Sequence, residues 1–298
     1  MVGLAKNKNC NNLIIMSKVT LLINCKDTSG IIATVTNFFH SKNGNIIYID
    51  QYVDTENGIF FMRLENEFST QYSIAQLRAE FDQEIAETYK MDWKLFAGER
   101  ILKMAVFVSK YDHCLYDILG RFKAGELNVE IPFILSNHKD LASIAKAFDI
   151  PFYHVPVTKD NKAQAEAKQL ELLQQFEVDF IVLARYMQII SDQLISEFPN
   201  NIINIHHSFL PAFAGAKPYH SAYKRGVKII GATCHYVTAE LDAGPIIEQD
   251  ITRISHSHSI KDLILKGRDL EKIVFSRGIK LHIQRKTMVF NNKTIIFT

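Results

Sequence analysis

Cysteine is scarce in this sequence, and its few copies are not arranged in pairs. The 298 residues contain four cysteines, none of them in a C-x-x-C motif: Cys10, Cys25, Cys114 and Cys234. Structural zinc sites and disulfide frameworks need clustered cysteines, so both are disfavoured. Single, scattered cysteines are typical of a reducing compartment, and we therefore expect a cytoplasmic protein.

A strong excess of charge and a long apolar run are also missing. The net charge is +2, from 34 Lys and Arg against 32 Asp and Glu, so no broad basic surface is available for nucleic acid or an anionic membrane. The apolar segment after the polar residues 1–12 is too short for a signal peptide or a membrane span. We expect a small-molecule partner, no nucleic acid and no membrane. Residues 1–16 are expected to form a disordered tail.

The other residues show two different apolar patterns, which predicts two domains. Residues 17–98 give the order strand, helix, strand, strand, helix, strand, which is the ferredoxin-like α+β plan. In residues 101–298, strand-like runs alternate with helical segments, and the first run, Ile101–Val108, is apolar almost throughout. This pattern predicts an α/β domain with a doubly wound, mostly parallel, Rossmann-like sheet, whose ligands bind beyond the carboxyl ends of the strands.

Asn204 and His206 lie at the end of one such run, where a strand would point both side chains to one face. Asp242, further along the chain, adds a carboxylate. An amide that holds an oxyanion, an imidazole that moves a proton and a carboxylate that activates or orients the attacker suit acyl-group chemistry. On spacing alone, turn and capping roles are the favoured explanation of these three residues.

The segment Asn204–Pro211, followed by Asp242–Gly244, resembles the signature of the folate-dependent formyltransferase and deformylase family. The resemblance implies a formyltransferase-like second domain. It also implies that 10-formyltetrahydrofolate is the substrate, with no separate cofactor. Within this resemblance Asn204 is the oxyanion donor, His206 the general acid and Asp242 the residue that activates water.

The same resemblance implies five substrate-binding residues. Arg185, Tyr186 and Met187 align in order with the family segment that wraps the pterin, and Ser208 and Gly244 belong to the two halves of the signature. Helix-start and loop-shaping roles are the alternatives for these residues.

The first strand-to-helix turn of the N-terminal domain, Asp27–Ile31, resembles that of an ACT domain, a module that often binds amino acids. The resemblance implies a regulatory site at Asp27, Gly30 and Ile31 for an effector such as glycine or methionine. It also implies a homo-oligomer assembled through this domain. A glycine in such a turn is needed for backbone reasons alone, so a purely assembling role is the alternative.

The sequence of the segment Val108–Leu115 distinguishes between two reactions within the family. Relatives that pass the formyl group to glycinamide ribonucleotide carry a glycine-rich turn here, because phosphate needs backbone N–H groups at a helix start. This segment has no glycine, and Asp112 would repel a phosphate. The resemblance therefore favours the deformylase branch, in which water converts 10-formyltetrahydrofolate to formate and tetrahydrofolate. Such a reaction would supply formate for purine synthesis and balance the one-carbon folate pools.

Three other functions stay open at this point. A formyltransferase acting on glycinamide ribonucleotide or an amino sugar would release tetrahydrofolate only when an amine is present. A methionyl-tRNA formyltransferase would need a basic RNA-binding domain after the catalytic half. A non-catalytic amino-acid sensor would tolerate the loss of Asp242. Metal binding is not expected, because the histidine pairs at 206–207 and 256–258 lack a matching carboxylate or cysteine cluster.

Overall fold

The computed structural model describes residues 17–69, 73–98, 100–212 and 218–298. The predicted tail, residues 1–16, lies outside the described residues. The chain divides into two units: one runs to Arg100 and includes Phe297–Thr298, and the other spans Ile101–Ile296. Within the described part of the chain, no helix combines the length and apolar character that a membrane crossing requires.

The first unit has the predicted βαββαβ order. Its elements are β1 (Ser17–Lys26), α1 (Ile31–Ser41), β2 (Gly44–Asp54), β3 (Ile59–Phe68), α2 (Ile74–Phe81), a π-helical segment (Asp82–Ala86), α3 (Glu87–Tyr89) and β4 (Asp92–Ala97). Among the described residues the strands form an antiparallel sheet in the order β2-β3-β1-β4. The helices bury Val35, Phe39, Leu77 and Phe81 in one core with apolar side chains of the sheet. The ferredoxin-like prediction is confirmed.

The end of the chain differs from the predicted domain limit. The second domain was predicted to reach residue 298, whereas Phe297–Thr298 belong to the first unit. The backbone N–H of Thr298 donates to the Asp50 carboxylate at 3.2 Å, and the Tyr48 hydroxyl donates to the Thr298 carbonyl oxygen. These hydrogen bonds hold the last residue on the first unit. They involve polar groups, so the apolar pattern of the sequence could not predict them.

The second unit alternates strands and helices. Its elements are β5 (Leu102–Val108), α4 (His113–Lys123), β6 (Val129–Glu130), β7 (Ile134–Ser136), α5 (Ala142–Ala147), β8 (Phe152–His154), α6 (Lys162–Gln175), β9 (Phe180–Ala184), α7 (Asp192–Glu197), β10 (Ile202–His206), α8 (Pro218–Arg225), β11 (Ile229–Tyr236), β12 (Ile246–Arg253), α9 (Ile260–Ile283), β13 (Thr287–Phe290) and β14 (Lys293–Ile296). Over the described residues the main sheet has the order β12-β11-β10-β9-β5-β7-β8, with β6 also paired to β5.

The strand directions change at β10. β8, β7, β5, β9 and β10 run parallel, whereas β11 and β12 are antiparallel to their neighbours. Helices α4, α5 and α9 bury one face of the sheet, and α6 and α7 bury the other. The sheet is therefore mostly parallel and doubly wound, as predicted.

The longest helix, α9, starts at a capping box. The Ser259 side chain accepts from the Asp262 backbone N–H, and the Asp262 carboxylate accepts from the Ser259 backbone N–H. Further along, Gly278 lies against Cys234 of β11 so closely that a side chain at 278 would collide with it. This contact brings α9 directly onto the strand that contributes to the site.

Candidate active site

The predicted residues Asn204 and His206 line a cleft on one face of the second sheet. Asn204 lies directly beside Leu183 of β9 and His235 of β11, so the three side chains form a row across three strands. His206, the last residue of β10, lines the same cleft, which has a volume of about 1080 Å³. The structure thus places both predicted side chains on a common face.

Asp242 reaches His206 from the loop between β11 and β12. Its Oδ1 lies 3.3 Å from His206 Nδ1. Asp242 has φ 56°, a left-handed conformation that Asp adopts more readily than most residues. Asn292 donates to the Ala243 carbonyl oxygen at 2.9 Å and so holds the loop. The hydrogen bond from His206 keeps the pKa of Asp242 below its ordinary value, although burial opposes this, so the loop presents an ionised carboxylate.

The contact with Asp242 decides which nitrogen of His206 faces the cleft. When Nδ1 donates to the carboxylate, Nε2 is the atom left for a substrate. This nitrogen is buried and has no hydrogen-bond partner within the part of the chain that the structure describes. A buried polar atom without a partner is expected where a reacting group binds.

His235 is a site residue that the sequence prediction missed. Its Nε2 lies 3.2 Å from Asn204 Nδ2 and 3.8 Å from Asp242 Oδ1, and its Nδ1 lies 2.9 Å from the Tyr236 carbonyl oxygen. Burial holds the pKa of His235 below its ordinary value, so the ring is neutral at pH 7. The signal in the sequence was a histidine inside the otherwise apolar strand that follows the Asn204 motif.

Arg185 lines the cleft as predicted, but its guanidinium is already paired. Nε lies 3.6 Å from the Glu271 carboxylate, and the guanidinium carbon lies 5.0 Å from the centre of the Tyr111 ring. The residue has φ 63°, at the turn that follows β9. The structure therefore gives Arg185 an internal ion pair in place of a free cation for the substrate.

The other two predicted pterin residues differ in exposure. Tyr186 is buried, and its hydroxyl accepts a hydrogen bond from Gln169 at 3.0 Å. Met187 is 47% exposed, and with Ile189 at 61% and Leu241 at 64% it forms an apolar rim around the cleft. Such a rim suits the flat, largely apolar surface of a ligand ring system.

Ser208 and Gly244, also predicted to bind substrate, are not among the residues that line this cleft. The Ser208 carbonyl oxygen accepts a hydrogen bond from the Thr233 hydroxyl at 2.8 Å. Gly244 is buried, and a Cβ at this position would overlap the Tyr236 carbonyl oxygen. The Ser208 hydroxyl oxygen is buried and has no hydrogen-bond partner within the described residues, so substrate binding by Ser208 and Gly244 stays a prediction.

Glu271 is the centre of a second buried polar cluster that the sequence prediction missed. Its carboxylate accepts from the Tyr219 hydroxyl at 2.6 Å and contacts His113 Nε2 at 2.8 Å. Burial alone would raise the pKa of Glu271, but the hydrogen bond from His113 and the charge of Arg185 hold it below the ordinary value. In the sequence this carboxylate belongs to the charged stretch Arg268–Lys272 of α9, which gives no sign that Glu271 is buried.

The same cluster is the metal-ligand group that the described residues bring together. Ligand atoms of His113, Cys114 and Glu271 lie within 4.8 Å of one another. The guanidinium of Arg185, 3.6 Å from the carboxylate, already supplies a positive charge there. A divalent cation at this place would face that charge at short range, so the residues present do not fit a metal site.

The candidate regulatory residues of the first unit lie together. Asp27, Gly30 and Ile31 line a cavity of about 830 Å³, along with Gln51 of β2 and Phe60 of β3. Gly30 has φ 91° and is the N-cap of α1, a conformation that explains the glycine without a ligand.

Comparison with known proteins agrees with both halves of this description. A formyl transferase family model matches residues 102–279, and an ACT domain model matches residues 19–82. A formyltetrahydrofolate deformylase from Synechocystis sp. is 49% identical over 279 residues, which cover 93% of this chain and 98% of the relative. The chain belongs to the formyltetrahydrofolate deformylase family. The predicted enzyme class, a hydrolase, is confirmed by this membership.

Other members of the deformylase family give the same result. The formyltetrahydrofolate deformylase of Bacillus subtilis is 45% identical over 282 residues, with 94% of each chain covered. The crystal structure of a formyltetrahydrofolate deformylase from Pseudomonas syringae pv. tomato has a TM-score of 0.92 and 46% identity, with 95% of each chain covered. The predicted ACT and formyltransferase domains are thus confirmed.

A more distant protein of known structure matches only part of this chain. Glycinamide ribonucleotide transformylase 1 from Symbiobacterium toebii has a TM-score of 0.64 and 26% identity. The match covers 98% of that protein but only 69% of this chain. The part of this chain that resembles the transformylase is therefore smaller than the part that resembles the deformylase structure.

Proposed function

We propose that this protein hydrolyses 10-formyltetrahydrofolate to formate and tetrahydrofolate. The observation that carries the proposal is the contact of Asp242 with His206, 3.3 Å apart, beside Asn204 on one wall of the cleft. An ionised carboxylate, an imidazole with an unpartnered nitrogen and an amide are the groups that hydrolysis of a formamide requires. Membership of the deformylase family supports the same substrate.

The cleft suits the proposed folate. Its rim is apolar, and residues 185–190 form one wall. A pterin needs such an apolar slot with a few backbone donors and acceptors along one edge. In this proposal the buried Tyr186 packs behind this wall, and the exposed Met187 covers the bound pterin ring.

Each catalytic group has one task in the proposed reaction. The Asp242 carboxylate accepts a proton from water while the water oxygen bonds to the formyl carbon. Asn204 donates a hydrogen bond to the oxyanion that forms, an interaction class that contributes about 3–4 kcal/mol in other enzymes. For this step His206 carries a proton on both ring nitrogens: Nδ1 keeps its hydrogen bond to Asp242, and the Nε2 proton passes to the leaving nitrogen as the C–N bond breaks. The neutral ring then takes a proton from the formic acid product, and Asp242 returns its proton to solvent, so formate and tetrahydrofolate result.

The direct test is formate release without an acceptor. The purified protein should release formate from 10-formyltetrahydrofolate in the absence of any amine, and Asp242→Ala should lose most of this rate while it stays folded. Full activity of Asp242→Ala would remove the proposal. Tetrahydrofolate release that depends on an added amine would instead identify a transferase. If His206 is the base, the remaining rate of Asp242→Asn should still vary with pH through one titrating group.

Water as the acceptor is supported by the residues at the start of α4. Asp112 is the N-cap residue of this helix, so an acidic residue stands at the helix end that would otherwise attract a phosphate. The proposed role in the cell is to supply formate for purine synthesis and to balance the one-carbon folate pools.

We propose an amino-acid effector site in the first unit as a second function. The cavity lined by Asp27, Gly30 and Ile31 supports this, because Asp27 offers a carboxylate for an ammonium group. Glycine and methionine are the ligands to test, by calorimetry and by their effect on formate release. Absence of any response to either would leave this domain with an assembling role, which a homo-oligomer in solution would support.

A further inference from the structure

His235 holds a fixed tautomer because of its own backbone. Its Nδ1 lies 2.9 Å from the Tyr236 carbonyl oxygen, and a carbonyl oxygen can only accept. Nδ1 therefore carries the proton. The ring is 2% exposed and neutral, so Nε2 has a lone pair and must act as an acceptor.

The fixed tautomer decides the orientation of the Asn204 amide. Nδ2 of Asn204 lies 3.2 Å from His235 Nε2, and only the NH₂ group of an amide can donate to a lone pair. The reversed amide would place two acceptors against each other. One hydrogen of Nδ2 is thus used by His235, and the second hydrogen of the same nitrogen stays available to an oxygen in the cleft.

Gly244 keeps the Tyr236 carbonyl oxygen accessible to His235. A Cβ at position 244 would overlap this oxygen, and the Tyr236 N–H donates to the Pro245 carbonyl oxygen at 2.9 Å. The loop therefore packs closely on the strand only because residue 244 has no side chain. This contact gives a physical reason for a glycine two residues after Asp242.

We propose that His235 is a positioning residue that orients the Asn204 amide as the oxyanion donor, and that Gly244 preserves the backbone acceptor that fixes the His235 tautomer. The proposal rests on the function proposed for Asn204. It differs from a structural role for His235, because most of the effect of the histidine on catalysis then depends on the presence of Asn204, its nearer partner. The effect should appear in kcat and leave KM unchanged, since the oxyanion forms only in the transition state.

A double-mutant cycle tests this dependence. His235→Leu should lower kcat roughly 10- to 100-fold with KM within about threefold, because a misplaced oxyanion donor loses most of its effect. His235→Gln, whose side-chain carbonyl can accept from Asn204, should recover most of the loss. In the Asn204→Ala background, His235→Leu should change kcat by less than about twofold. Gly244→Ala should also lower kcat, and because the same collision displaces the loop that carries Asp242, part of this loss should remain in the His235→Leu background.

Cys234→Ala is the matched control, because Cys234 is the neighbour on β11 that faces α9 instead of the cleft. It should leave kcat unchanged in both backgrounds. Equal losses from His235→Leu with and without Asn204 would overturn the proposal. Full activity of Asn204→Ala would instead refute the role of Asn204 itself, which separates the two failures. Nitrogen NMR of the whole parent protein gives a reading without mutation: a protonated His235 Nδ1 with a bare Nε2 supports the proposal, and a protonated Nε2 overturns it.

Discussion

Replacement of Asp242 by Asn tests the chemistry most directly, because it keeps the shape of the side chain and removes its charge. Asp242 Oδ1 lies 3.3 Å from His206 Nδ1, and the two side chains are only 16% and 7% exposed. At this distance, with an effective dielectric constant of about 20, a carboxylate stabilises an imidazolium by about 5 kcal/mol. Measured hydrogen bonds to charged groups contribute about 1.5–3 kcal/mol.

These two values bracket the expected loss. A decrease of about 2–5 kcal/mol in transition-state stabilisation corresponds to a roughly 30- to 5,000-fold lower kcat. The pKa of Asp242 lies below its ordinary value of 3.8, so the parent carboxylate is ionised throughout the neutral range. Asp242 itself should therefore add no pH dependence to the parental kcat between about pH 6 and pH 8.

The assay is formate release from 10-formyltetrahydrofolate without an acceptor, with unfolding in urea as the check on stability. Asp250→Asn is the matched control, because Asp250 is on β12 in a partly exposed ion pair with Arg277 at 3.2 Å. It should keep the parental kcat. If Asp242→Asn retained more than about a third of the parental kcat, the electrostatic reasoning behind this site would be refuted.

Three further outcomes follow from contacts around the site. Glu271→Gln should lower the free energy of unfolding at pH 7 by about 3–5 kcal/mol, because it leaves Arg185 buried without its carboxylate. The pKa of Glu271 in the folded state is below its ordinary 4.5. The stabilisation by Glu271 is therefore complete above pH 4.5 and is lost as the pH falls through the folded-state pKa. Urea titrations at several pH values would measure this loss. Gly278→Ala should cost about 1–3 kcal/mol through its collision with Cys234, and Cys234→Ala in the same chain should restore part of it in thermal melts. Ile189→Asp should raise KM by roughly 5- to 30-fold without a change in stability, because this exposed rim residue loses its apolar contact with the folate.

The fold was predictable because periodicity reports burial. The apolar run now seen as β5 is buried almost completely between two helical layers, and such burial requires consecutive apolar residues. The antiparallel pairing of β11 with β10 and β12 was not predictable in the same way. The direction of a strand depends on the end of the sheet at which the chain enters it, and no local sequence pattern determines that.

The site was predictable only in part. Asn204, His206 and Asp242 lie in short motifs, and the structure brings all three to one cleft. His235 and Glu271 depend on partners distant in sequence, and neither belongs to the motif of Asn204 or that of Asp242. Their roles become visible only when strand register or helix packing places a partner against them.

The reversal of strand direction beside β10 limits how this site can be transferred to another protein. Asn204 and His235 meet because they lie directly opposite each other on the antiparallel neighbours β10 and β11. A designer who grafts only Asn204, His206 and Asp242 onto an all-parallel scaffold would lose the support for the amide. The smallest portable unit is the three-stranded block β10, β11 and β12 with its connecting loop.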